Sequence, residues 1–105
     1  MKQITKFIIF FLLLSTPAFA NSITHSIGNA GYMIREAMFA DAKKLSPEKY
    51  QEAIRHQGLA KQYMRGNHPK GRSEQKALEL SKVAYDLAKQ ARDEALAILG
   101  QKVSR

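Results

Sequence analysis

Residues 73–99 read SEQKALELSKVAYDLAKQARDEALAIL, and the spacing of their apolar members decides the fold. Ala77, Leu80, Ala84, Leu87, Ala91, Ala95 and Ile98 recur at steps of three or four. On a 3.6-residue helix that spacing keeps them on one side. Lys82, Lys89, Arg92 and Asp93 mostly fall elsewhere. Ser73 suits the N-cap, Glu74 the first turn and Gly100 the stop. About 27 residues at about 1.5 Å each make a rod of roughly 40 Å. Four of the seven inward positions are alanine. Alanine lets a neighbouring helix come close but buries little area per residue, so this rod needs partners.

The partners lie upstream. Ser46-Pro47-Glu48-Lys49 starts a helix: serine caps, proline supplies its fixed φ at the first helical position, and glutamate meets the positive helix end. The spacing predicts this helix over 47–65, with Tyr50, Ala53, Ile54, Ala60 and Met64 inward and Leu59 and Tyr63 on the flank. Gln57 interrupts that stripe and Gly58 is a soft point. Because the residue before a proline is pushed out of the α region, an earlier helix should end there. That earlier helix is predicted over 22–45, from a stripe of Ile23, Ile27, Ala30, Ile34, Ala37 and Met38 widened by Phe39, Ala42 and Leu45. Gly28 and Gly31 weaken its first half. Residues 66–72, GNHPKGR, are loop by their glycines, proline and asparagine, and 101–105 form a polar tail. Short connections favour antiparallel neighbours. The expectation is an all-α antiparallel three-helix bundle, a helical hairpin plus an N-terminal helix, forming one domain over 21–105.

Residues 1–20 read differently. Lys2 and Lys6 flank a short basic region, Phe7 to Leu14 is an apolar core of eight, and Ala18-Phe19-Ala20 fits the small-x-small cleavage rule. This is the pattern of a secretory signal peptide cut after Ala20. An apolar run of eight is too short to span a bilayer, which takes about 20 residues. No later stretch is apolar enough to span. The expected address is the periplasm, with secretion as the alternative.

The 105 residues allow one small domain, and without cysteine there is neither a disulfide framework nor a thiolate metal site. A domain of this size is marginal on packing alone, so self-association or docking onto a partner would stabilise it. The net charge is +8, of which Lys2 and Lys6 belong to the leader, leaving +6. A basic balance favours anionic partners, lipid headgroups and envelope polymers among them.

One stretch matches a chemical pattern. Gly66-x-x-x-x-Gly71-Arg72-Ser73 differs from the phosphate-loop signature by arginine for lysine, and a helix follows it. A helix precedes it where the signature needs a strand, and an exported protein meets no nucleotide pool, so no nucleotide is expected. Arg65, His68, Lys70, Arg72 and Lys76 do gather at one end of the bundle beside a helix N-terminus, a geometry suited to an anionic group. The histidines His25, His56 and His68 are isolated except for Glu52 one turn before His56. A metal site takes three or four ligands, so neither metal nor cofactor is expected. No nucleophile-elbow pattern frames any serine. The tyrosines Tyr32, Tyr50, Tyr63 and Tyr85 follow the apolar stripes and read as core-edge rings rather than as a nucleic-acid surface.

Arg35-Glu36-Ala37, the junction from Ala42 through Leu45-Ser46-Pro47-Glu48 to Ala53, the run Ala77-Leu78-Glu79-Leu80-Ser81-Lys82-Val83-Ala84-Tyr85 and the later Ala88, Ala91 and Ala95 form a set. In these the chain resembles the small exported alanine-rich helical domains of unknown function of Gram-negative bacteria. Some of those are lipoproteins, and some precede an OmpA-like peptidoglycan-binding domain. The likeness covers Arg35 to Ala95. This chain differs in having no lipobox cysteine and no wall-binding domain downstream, and the family offers no catalytic residues to carry over. The expectation is therefore a non-enzymatic envelope accessory or adaptor. It would bind a protein along a helix face, or an anionic envelope component at the Arg65–Lys76 end. The alternatives are a small-ligand or metal-binding bundle and a secreted effector-like factor.

Overall fold

The alanine-rich stretch forms the longest element of a computed structural model that describes residues 22–103. Those residues fold into four helices with no strand among them. We label them α1 (22–39), α2 (Ala42–Leu45), α3 (Pro47–Arg65) and α4 (Glu74–Val103). The leader, with Ala18 and Ala20, lies outside the described residues.

The helices pack in three clusters. At one end Ile23 meets Tyr63 and Ala77. In the middle Met33 meets Ala53 and Ala88. At the other end Ala37, Ala40 and Ala42 meet Tyr50, Ala91 and Ala95. Along this series the residue numbers of α1 and α4 rise together while those of α3 fall. Among the described residues of α4 the buried ones are Ala77, Ser81, Ala84, Ala88, Ala91 and Ala95, alternating steps of four and three. That is a seven-residue repeat, the spacing that winds helices into a left-handed supercoil. Among the described residues eleven of the fifteen buried apolar ones are alanine; the others are Ile23, Met33, Tyr50 and Tyr63. Around them pack partly buried larger side chains, among them Ile27, Ile34, Leu78, Leu80 and Leu87.

Several expectations change here. The helix expected over 22–45 divides at Asp41, which adopts the left-handed conformation at φ 66°. Aspartate tolerates that region better than most residues. Its N–H bonds the Met38 carbonyl at 2.9 Å, and its own carbonyl accepts from Lys44 and Leu45, so one residue ends α1 and starts α2. The bend buries both Ala40 and Ala42. Met38 and Phe39, expected inward, are 49% and 77% exposed. The seven-residue line of α1 runs through Ile23, Ala30 and Ala37, and Met33 with Ala40 completes it, leaving Met38 on the flank and Phe39 outside. Ile54 likewise turns out, while Gln57 and Tyr63 turn in. α4 runs through Gly100 to Val103.

Ser73 caps α4 as expected, its Oγ accepting from the Lys76 N–H at 3.2 Å. Ser46 does not cap with its side chain. Its hydroxyl donates instead to Glu94 Oε2 at 2.7 Å, and Lys49 Nζ donates to the other oxygen, Glu94 Oε1. One carboxylate on α4 thus holds the α2–α3 junction. Lys49 first, and then Ser46, keep the Glu94 carboxyl below its ordinary value of 4.5. A depressed carboxylate contributes stability that is in full above the ordinary value and is lost as pH falls through the folded one. Thermal melts from pH 7 down to pH 3 should show a fall in stability below about pH 4.5 that Glu94→Gln reduces. An acid limb unchanged by Glu94→Gln would assign that limb to other groups.

Candidate functional site

The turn between α3 and α4 is built by backbone closure. Gly66 ends α3 in the left-handed region at φ 79°, where a side chain is strained, and its N–H bonds the Gln62 carbonyl. Asn67 N–H bonds the same carbonyl at 2.9 Å. Gly71, at φ 88°, donates to the His68 carbonyl at 2.8 Å. The Ser73 N–H reaches back to the Tyr63 carbonyl at 3.1 Å. These N–H groups are satisfied within the protein and do not converge on a common point, so the likeness to a phosphate loop ends with the spacing of its residues.

Each predicted member of the basic end has a definite place. The His68 ring stacks on Tyr63 with centroids 4.0 Å apart and planes 17° off parallel. Its Nδ1 accepts from the Lys70 N–H at 3.1 Å, which requires the tautomer protonated at Nε2. His68 is therefore a strut for the turn. Arg72 is turned to Glu74, with Nη2 at 3.2 Å from Oε1. Arg65, Lys70 and Lys76 are exposed and have no carboxylate partner among the described residues. The structure thus brings the five residues to one end of the molecule and separates them by role: three unpaired cations, one paired arginine and one stacked ring.

Two other groups bear on chemistry. Arg55 donates to Glu52 and lowers its carboxyl, and His56 Nδ1 lies 2.8 Å from the Glu52 carbonyl and 3.7 Å from Oε2. Among the described residues no three histidine, aspartate or glutamate side chains come together as a metal-holding group. Between α1 and α4 lies a cleft of about 560 Å³ whose lining includes His25, Asn29, Lys82 and Asp86. The Ser26–Ser81 hydroxyl pair, 2.7 Å apart, sits beside it. Ser81 donates its own proton to the Leu78 carbonyl at 2.9 Å, so Ser26 is the donor of the pair. Sequence spacing could not anticipate this cleft or the Ser46–Lys49–Glu94 clamp, because each joins residues more than forty positions apart.

No helix among the described residues is long and apolar enough to cross a membrane. Compared with known proteins, the chain matches no family model and has no significant similarity to a curated protein or a solved structure.

Proposed function

We propose that this chain is an exported, non-enzymatic antiparallel three-helix bundle that serves as an envelope accessory, and that it engages an anionic envelope component through the α3–α4 turn. The observation that carries the reading is the set of unpaired cations Arg65, Lys70 and Lys76 around a turn braced by the Tyr63–His68 stack. A braced turn loses little freedom on binding, and cations without internal partners lose no ion pair when an anion approaches. The leader pattern, with cleavage after Ala20, would take the protein to the periplasm, where anionic lipid and polymer surfaces are at hand. The resemblance to small exported alanine-rich helical domains points the same way.

Co-sedimentation of the processed protein with vesicles of phosphatidylglycerol, and separately with purified cell-wall sacculi, tests the reading. Retention on one of these should fall with added salt, as exposed charge pairs are screened. The double variant Arg65→Glu/Lys70→Glu should abolish that retention and leave the melting temperature nearly unchanged, since neither side chain is buried. Arg72→Gln should have a smaller effect, because that guanidinium already has Glu74. Binding equal to the parent in the double variant would count against the turn.

A further inference from the structure

The surface between α1 and α3 combines three features. First, a groove of about 360 Å³ runs between the helices, lined by Gly31, Ile34, Ile54, Gln57, Gly58 and Lys61. Glycine inside a helix is destabilising relative to alanine. Yet a Cβ at Gly58 would meet nothing within 4 Å, and one at Gly31 would make only an ordinary 3.5 Å contact with Gln57 Nε2. Packing within the bundle therefore does not require either glycine, whereas the close approach of a further backbone would. Second, Gln57 is only 6% exposed at this groove. Its Nε2 donates to the Ile27 carbonyl at 2.8 Å, and its Oε1 has no hydrogen-bond partner among the described residues. A buried acceptor left unpaired is costly, and this one lies beneath the groove surface, out of reach of solvent. Third, Ile54 is about half exposed in it, Lys61 stands on its rim, and none of its six lining residues is acidic. Arg35 lies one turn beyond Gly31 and Arg65 one turn beyond Lys61. None of these three cations has an ion-pair partner among the described residues.

We infer that the α1–α3 groove docks an acidic amphipathic helix of a partner protein, which lies between α1 and α3 as an added rod of the bundle. The inference rests on the reading of this chain as a binding module and names a second surface on it. Apolar side chains of the partner cover Ile34 and Ile54, and its carboxylates face Lys61, Arg35 and Arg65. An acyl chain carries no carboxylates along its length to meet these three cations, and a bilayer surface does not fill a concave groove. A second copy of this chain brings the same basic charge to the contact, which opposes pairing.

Amide spectra of the ¹⁵N-labelled processed protein, titrated with a designed peptide of about 18 residues, roughly five turns of helix, provide the test. The peptide carries leucine at helical spacing and glutamate elsewhere; a second peptide replaces glutamate with lysine. The glutamate peptide should give saturable shifts at Gly31, Ile34, Ile54 and Gly58. Its affinity should fall about tenfold in Gly58→Leu, which fills the groove, and comparably in Lys61→Glu, a surface change that leaves the bundle intact. Shifts confined to residues 65–72 would overturn the groove and leave the anionic-end reading standing. Equal affinity for the lysine peptide would overturn the groove, and so would the same shifts with phosphatidylglycerol vesicles or on simple concentration of the protein. Absence of shifts anywhere would count against both.

Discussion

Tyr63→Ala is expected to unfold most of the molecule near 37 °C. Tyr63 is 7% exposed and packs with Ile23 and Ala77, and its ring carries the His68 stack. Among the described residues eleven of the fifteen buried apolar ones are alanine, so Tyr63 is one of only four large side chains in the buried core. Truncating a buried aromatic costs about 3–5 kcal/mol. A domain of this size holds about 4–12 kcal/mol in all, so one ring accounts for a large share of the total. Melting followed by circular dichroism at 222 nm should show a midpoint lowered by about 15–30 °C. Tyr63→Phe should lie within a few degrees of the parent, because the ring stays and no hydrogen bond to the hydroxyl is seen among the described residues. The control that discriminates is Ile54→Ala. Helical spacing alone puts Ile54 inside and Tyr63 on the flank, whereas the structure leaves Ile54 46% exposed. If Ile54→Ala proved the more damaging of the two, α3 would be rotated from the orientation described.

That reversal shows where the sequence is legible and where it stops. Helix 47–65 and its bounds follow from Pro47, Glu48 and the glycine at 66, because these act within one turn of chain. Ser73 as a cap and the loop at 66–72 follow for the same reason. The facing residues are harder. On α4 the larger Leu80 and Leu87 attract a reading by hydrophobicity, yet Ser81 and Ala88 occupy the seam. The cause is steric. Where three helices meet closely, the side chains directly between them must be small, and the leucines are left to half-covered positions beside the seam. Hydrophobic size and centrality then anticorrelate, and a reading that ranks positions by apolarity errs toward the flank. Asp41 was illegible for another reason: aspartate is common in helix surfaces, and only the burial of Ala40 and Ala42 on either side explains its left-handed backbone.

The candidate site divides along the same line. Arg65, Lys70 and Lys76 at one end of the bundle could be read from order in the chain, since a short turn must gather them. That His68 is a strut and that Arg72 is already paired could not, because both depend on directions taken by side chains. Ser46 is the sharpest instance. Its position before Pro47 is that of a helix cap, but Glu94, 48 residues later, accepts its hydrogen bond. As a cap the serine oxygen would accept from a first-turn N–H; no such bond forms here, and the hydroxyl instead donates to a charged carboxylate, a stronger bond than a neutral one.

The steric account of the seam has a consequence that can be measured directly. Ala91 has no exposed surface and packs with Ala37, Ala95 and Tyr50. Leucine nearly equals alanine in helix propensity and is more apolar, so by propensity and transfer alone Ala91→Leu is neutral or stabilising. In the structure the added atoms have nowhere to go. Overpacking costs about 1–3 kcal/mol, and at the point where α1 and α3 both close on α4 the upper part of that range applies. The melting midpoint should drop by about 8–20 °C, while far-ultraviolet circular dichroism at low temperature still reports a helical chain, since α4 itself is not weakened. Ala97→Leu, on the exposed side of the same helix, should leave the midpoint within a few degrees. The pair separates two causes that otherwise travel together: if both variants melted alike, helix propensity would account for α4 and the close approach of three rods would not. If only Ala91→Leu falls, the alanines are present because of their size, and the bundle is held by the proximity that size permits.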